Sequence, residues 1–219
     1  VVVTGVSKPF PIIGVGASTG GLEALRELFG GFDGQTGMAF VVVQHLDPTH
    51  ESLMAQLIER YTAMSVRQAS GGETIDRDNV YVIPPGHGLA LDNGVLNLTE
   101  FKESRGMRRP IDDFFESLAE DRGTQAACVI LSGTGADGSR GLRAIKEHGG
   151  ICLVQEPESA AYDGMPASAI GTGLVDIVSA PSDIVSYLTK FFERGDLSQD
   201  DLEDASDVAD HIDDLCDVL

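Results

Sequence analysis

Three apolar runs of the sequence each break into a short polar turn, and between them the turns carry a serine, a histidine and an aspartate. Ser18 lies in Gly14-Val15-Gly16-Ala17-Ser18-Thr19-Gly20-Gly21, and His45 in Val43-Gln44-His45-Leu46-Asp47-Pro48. Asp137 lies in Ser132-Gly133-Thr134-Gly135-Ala136-Asp137-Gly138. A serine hydroxyl is a weak nucleophile until a neighbouring base takes its proton. An imidazole is suited to that task, and a carboxylate fixes its tautomer and stabilises the imidazolium that forms. The backbone N–H groups of Thr19 and Thr134 stand where two donors could be aimed at an oxyanion, each worth roughly 3 kcal/mol in known cases.

Each residue has a plainer reading. The glycines around Ser18 permit sharp turning and close backbone approach to a ligand. A dinucleotide loop wants GxGxxG, but Thr19 stands at the third glycine position and no acid is clearly placed about 20 residues later. A P-loop needs a lysine before Ser or Thr, and none is present. A nucleophile on a strand-to-helix turn fits better, although the loop is not the GxSxG of lipases. His45 alone reads equally as a partly exposed strand cap, His50 as a surface residue and Asp137 as a helix cap. His45, Asp47 and His50 could be grouped as metal ligands, but no further His or carboxylate motif completes such a site.

These turns need a scaffold that brings them to one edge. Pro11–Val15, Met38–Leu46, Val66–Gln68, Val80–Ile83, Ala126–Leu131 and Ile151–Val154 read as strands. Gly21–Leu28, Glu51–Met64, a segment starting near Pro110, Ser139–His148 and Pro181–Phe192 read as helices. Leu89–Leu98, centred on Asp92-Asn93-Gly94, is a hairpin signal, and Glu100–Arg108 a loop. Alternation of this kind predicts an α/β fold: a doubly wound, mostly parallel sheet with helices on both faces and a β-hairpin insertion. In such a sheet ligands bind at the carboxyl ends of the strands, where Ser18, His45 and Asp137 would meet.

Composition narrows the function classes. The formal charge of −20 argues against a nucleic-acid partner. Ten of the 35 acids and none of the 15 lysines and arginines lie at Asp196 or beyond, leaving −10 on the body. No apolar run approaches the roughly 18 residues needed to span a bilayer, and Val1–Phe10 lacks a signal-peptide pattern, so a cytoplasmic location is expected. Cys128, Cys152 and Cys216 form no CxxC pair and read as free thiols. No metal or cofactor is required. The lack of an initiator Met reads as a fragment or processed chain. Residues 196–219 place Leu202, Ala205, Ala209, Ile212, Cys216 and Leu219 at steps of three and four. They read as a solvated acidic tail, as a helix that docks or dimerises, or as a linker.

The segments Gly14–Gly21, Gln44-His45, Tyr81–Gly86, Arg109–Leu118, Leu131–Gly141 and Gln155–Ile170 resemble the catalytic domain of chemotaxis protein-glutamate methylesterases, the CheB family. The resemblance runs from about Pro11 to Phe192. It implies Ser18 as nucleophile, His45 as base and Asp137 as orienting acid, with Gly164-Met165-Pro166 in a loop beside the cleft. It further implies hydrolysis of glutamyl methyl esters, and glutaminyl deamidation, on the cytoplasmic domain of a chemoreceptor. Thr134 stands where many members have Met, and Ala136 where Asn is frequent. The usual receiver domain would precede the esterase, where only ten residues stand here. With the acidic tail, this suggests part of a methylesterase–methyltransferase hybrid whose regulatory or methyltransferase domains lie elsewhere in a larger chain. The expected organisation is an extension at 1–10, a catalytic domain at 11–195 and an acidic tail or linker at 196–219. The rival from another class is a non-catalytic scaffold module of the same fold in a two-component signalling protein.

Overall fold

The computed structural model of the chain describes residues 9–31, 34–45, 53–101 and 103–194. The acidic tail, Cys216, Asp47 and His50 lie outside them. Seven parallel strands make the main sheet: β1 (Ile12–Ala17), β2 (Ala39–Gln44), β3 (Ser65–Gln68), β5 (Asn79–Val82), β8 (Ala126–Ile130), β9 (Ile151–Gln155) and β10 (Ile177–Ser179). Their order is β10-β9-β8-β1-β2-β5-β3. The chain therefore winds outward from β1 through β2, then restarts on the other side of β1 with β8. The loops after β1 and β8 open side by side at that reversal, where an open α/β sheet forms its crevice.

Burial on both faces explains why the central strands read as unbroken apolar runs. On one face Ile13, Val15, Phe40, Val42 and Val129 pack with Leu25 and Leu28 of α1 (Gly21–Gly30). The same layer holds α2 (Met54–Glu59) and α6 (Pro181–Arg194). On the other face Ile12, Val41, Cys128 and Ile130 meet Phe114, Phe115 and Leu118 of α3 (Pro110–Arg122). Beside α3 lie α4 (Ser139–Glu147) and α5 (Gly164–Ile170). Period-two alternation thus sends successive residues of one strand into two separate cores. Cys128 and Cys152 are buried free thiols facing each other across β8 and β9.

A second, antiparallel sheet joins β4 (Glu73–Thr74), β7 (Val95–Thr99) and β6 (Gly88–Asp92) in that order. The hairpin turns at Asn93 (φ 49°) and Gly94 (φ 76°), the paired left-handed geometry of a two-residue turn. Leu91 N–H donates to Ser117 Oγ at 3.0 Å, tying the hairpin to α3.

Three local expectations are corrected. The described part of the second helix, read as Glu51–Met64, covers only Met54–Glu59. Tyr61 N–H turns back to the Ile58 carbonyl, and Met64 N–H donates to Thr62 Oγ1 rather than to a helical carbonyl. Gly164-Met165-Pro166, read as loop, opens α5, since proline is tolerated in a first helical turn. Gly16, which lay beyond the expected strand Pro11–Val15, belongs with Gly14 to β1 and not to the turn. A Cβ at Gly14 would stand 2.7 Å from the Phe115 ring, and one at Gly16 would stand 2.6 Å from Ile111 Cγ2. They let α3 press onto the sheet, so the GxG spacing here serves packing and not phosphate binding.

Close packing also sets how α3 meets α4. A Cβ at Gly141 would lie 2.5 Å from Phe115 Cβ and 2.8 Å from the Asp112 carbonyl oxygen. Because backbone cannot rotate aside, Gly141→Ala must lift α4 off α3. The expected cost is about 2–3 kcal/mol, read as a fall of about 4–12 °C in thermal midpoint. An unchanged midpoint by circular dichroism would contradict the packing.

Candidate active site

Each of the three predicted side chains stands at the carboxyl end of a parallel strand. Ser18 directly follows β1, His45 directly follows β2, and Asp137 closes the loop between β8 and α4. Gly20 (φ 76°) makes the turn from Ser18 into α1, and a Cβ there would stand 2.8 Å from both Ala161 Cβ and Ser132 Oγ. Ser18 N–H donates to the Ser132 carbonyl at 3.0 Å, which ties the β1 turn to the β8 turn.

The structure brings the three residues into one chain of hydrogen bonds. Ser18 Oγ lies 3.0 Å from His45 Nδ1, and His45 Nε2 lies 2.8 Å from Asp137 Oδ2. An ionised carboxylate can only accept, so the imidazole proton sits on Nε2 and Nδ1 offers a lone pair to the serine hydroxyl. Ser18 and Asp137 are buried, while about a third of the His45 side chain is open (34%). The nucleophile is thus shielded, and the base that must exchange protons reaches solvent.

Asp137 is a helix cap, but of a different helix from its own. Its Oδ1 accepts from Asp112 N–H at 2.9 Å and its Oδ2 from Ile111 N–H at 3.2 Å, both in the first turn of α3. Asp112 returns the arrangement: its Oδ1 accepts from Gly138, Arg140 and Gly141 N–H at 2.8–2.9 Å, at the start of α4. Neither helix is capped by the side chain of its own N-cap residue, Arg109 or Gly138. The two aspartates exchange caps, and that lock holds Asp137 beneath His45.

The two carboxyls are driven apart in acidity. Burial alone would raise Asp137, but hydrogen bonds from His45, Asp112 N–H and Ile111 N–H outweigh it and hold the group below the usual carboxylate range. Burial raises Asp112 against its N–H donors from Gly141 and Gly138, and the charge of Asp137 pushes it further up. Asp137 is therefore an anion throughout the neutral range.

Asp112→Ala strips the acceptor from three N–H groups at once. It is expected to cost about 3 kcal/mol of stability, whereas Asp112→Asn retains an oxygen for the same donors and loses less than half of that. Denaturant titration of both variants checks this; equal losses would show that the charge, not the cap, matters.

Both cavities at the site share Gln44 and His45. One, of about 490 Å³, is lined by Ser18, Thr19 and Gly20. The other, of about 340 Å³, is lined by Thr134, Asp137, Arg108 and Arg109. Ser18 N–H and Gly133 N–H are spent on the Ser132 and Tyr162 carbonyls. The N–H groups of Thr19 and Thr134 have no hydrogen-bond partner among the described residues. No His, Cys, Asp and Glu cluster able to hold a metal occurs among the described residues.

Sequence reasoning missed the support beneath these groups. Ser132 Oγ donates to the Thr19 carbonyl and accepts Tyr162 N–H, Gln155 Oε1 accepts Ser132 N–H, and Gln44 Nε2 reaches the Ser18 carbonyl at 3.4 Å. Gln44, Ser132, Gln155 and Tyr162 lie inside the segments that resemble the CheB family, but nothing local to them marks these bonds.

A doubly wound parallel sheet with a serine, an imidazole and a buried carboxylate in hydrogen-bonded sequence is the architecture of a serine hydrolase. Comparison with known proteins gives the particular family. Residues 13–188 match the family model for CheB methylesterase, and the chain belongs to that family. The crystal structure of the Thermotoga maritima CheB methylesterase catalytic domain superposes with a TM-score of 0.77 at 28% identity, covering 84% of this chain and 100% of that one. A protein-glutamate methylesterase/protein-glutamine glutaminase of Moorella thermoacetica is 33% identical over 186 residues, 79% of this chain and 42% of the relative. A 104.1 kDa uncharacterized protein of Rhodobacter capsulatus is 42% identical over 123 residues, 56% of this chain but 13% of the relative. The chain spans about half or less of the length of these relatives.

Proposed function

We propose that the chain is the catalytic unit, residues 11–195, of a protein-glutamate methylesterase acting on the cytoplasmic domain of a methylated chemoreceptor. The observation that carries this reading is the Ser18–His45–Asp137 chain of hydrogen bonds at the sheet reversal, in a family whose relatives bear that name. Ser18 Oγ attacks the glutamyl ester carbonyl as its proton passes to His45 Nδ1. The N–H groups of Thr19 and Thr134 receive the oxyanion. His45 returns the proton to the leaving methoxide, releasing methanol and leaving a glutamyl ester on Ser18. Water then attacks that ester, giving its proton to His45, and the carboxylate product departs as Ser18 Oγ recovers the proton. A glutamine amide would follow the same course with ammonia leaving, which supports the glutaminase activity in the relatives' names.

No helix among the described residues is long and apolar enough to cross a membrane, which agrees with a cytoplasmic site of action. Regulatory or methyltransferase domains of a larger chain are assigned as further partners, a reading that the length of the Rhodobacter capsulatus relative supports. Residues 1–10 and 196–219 are then its flanks. The test is to incubate the chain with a methyl-esterified receptor cytoplasmic fragment and measure methanol together with new carboxylates by peptide mass spectrometry. Equal amounts of both are expected; carboxylates absent at every esterified glutamate would overturn the reading.

A further inference from the structure

The cavity on the Asp137 side of His45 has a charge pattern that hydrolysis does not use. Arg108 and Arg109 line it together with Phe101 and Thr134. The guanidinium of Arg108 lies 4.5 Å from the centre of the Phe101 ring, and its Nε donates to the Glu103 carbonyl at 3.1 Å. Arg109 is exposed, and its side chain has no hydrogen bond or ion pair among the described residues. Neither guanidinium holds a carboxylate among the described residues. Elsewhere Arg26, Arg67, Arg122 and Arg140 hold carboxylates, whereas Arg60 and Arg143, which do not line this cavity, hold none among the described residues. The one acid among the described residues of this wall, Asp137, is already committed to His45 and to the first turn of α3.

The position makes the pair costlier still. Arg109 is the N-cap residue of α3, and a cation at a helix N-terminus opposes the helix dipole. Two consecutive arginines that line one cavity at the unfavourable end of a helix, with no carboxylate among the described residues, are accounted for by a ligand that supplies the missing charge. Their planar forks fit a carboxylate, and the stacked Arg108 is pre-oriented for it.

We propose that Arg108 and Arg109 form an anion subsite that takes a carboxylate side chain of the protein substrate next to the scissile ester. The proposal rests on the esterase reading and names what the substrate must carry beside the reacting group. Because hydrolysis turns a neutral ester into a carboxylate, a glutamate already demethylated becomes a ligand that favours attack on its neighbour.

The test uses the whole chain and two peptides with one glutamyl methyl ester each, flanked by Glu in one and by Gln in the other. The Glu-flanked peptide is expected to have a KM about tenfold lower at low salt, with the preference shrinking as salt rises. In the double variant Arg108→Gln, Arg109→Gln the ratio between the two peptides collapses towards one, with KM and not kcat carrying the change. Arg109→Glu is expected to shift the preference towards a third peptide, flanked by Lys, a gain that misfolding cannot imitate. Binding of the same peptides to Ser18→Ala, by fluorescence anisotropy, reads the subsite without turnover. Turnover absent while the binding preference persists would count against the esterase reading alone. Equal binding of both peptides by the unsubstituted arginine pair, or a preference that survives the double substitution, would overturn the subsite.

Discussion

Ser18→Ala is expected to lower kcat for ester hydrolysis about 10⁶-fold, with KM nearly unchanged. The size follows from what is removed: no other side chain among the described residues has a hydroxyl at hydrogen-bond distance from His45. What remains is binding and, on the proposed assignment, the two N–H groups of Thr19 and Thr134, which would still polarise the carbonyl but have no nucleophile to assist. Stability should hardly move, because the lost oxygen makes one hydrogen bond, to His45, while Ser18 N–H keeps its bond to Ser132. Steady-state methanol release with a thermal melt on the same sample separates the two effects. A loss smaller than tenfold would show that another group performs the attack.

Asp137→Asn is expected to reduce kcat about 10⁴-fold, through the tautomer of His45. The substitution acts by changing acceptors into donors. Asp137 Oδ1 faces Asp112 N–H, and Oδ2 faces both His45 Nε2 and Ile111 N–H. An asparagine has one acceptor oxygen, and the fixed Asp112 N–H claims it. The amide NH₂ then turns towards His45, forces the imidazole proton onto Nδ1 and leaves Ser18 facing a donor instead of a base. The same NH₂ opposes Ile111 N–H, so the first turn of α3 loses part of its cap.

The accompanying stability change has a defined pH window. The native Asp137 carboxyl titrates below its ordinary value, so the ion stabilises the fold fully above the unfolded value of about 3.9 and loses that contribution as pH falls through the native value. The stability gap between parent and Asp137→Asn should therefore be constant from neutral pH down to about 5 and close below about 4. A gap that widened in acid would reverse the sign of the argument.

Much of this was legible in the residues. Strands buried on both faces announce themselves as apolar runs, and each meets a Gly-rich or polar turn at its carboxyl end. A parallel sheet then forces Ser18, His45 and Asp137 to one edge, which the structure shows at hydrogen-bond distance. Asn93-Gly94 marked its hairpin because few other pairs tolerate two positive φ angles in succession. What escaped is short or non-local. β4 has two residues and β10 three, too few for a period to register. α5 is hidden by Gly164 and Pro166 in its first turn. Asp137 reads locally as a cap for α4, and only the tertiary contact shows that it caps α3 while Asp112 caps α4. Glycines 14 and 16 look like a ligand loop until Phe115 and Ile111 are seen against them.

The central claim is that His45 makes Ser18 a nucleophile, and a fluorophosphonate serine probe tests it without any assumption about the receptor. The probe should modify the chain once, the modified peptide should map to Ser18, and His45→Ala should suppress labelling by at least two orders of magnitude, about the contribution of a general base. Labelling at another serine, or undiminished labelling of Ser18 in His45→Ala, would contradict the account.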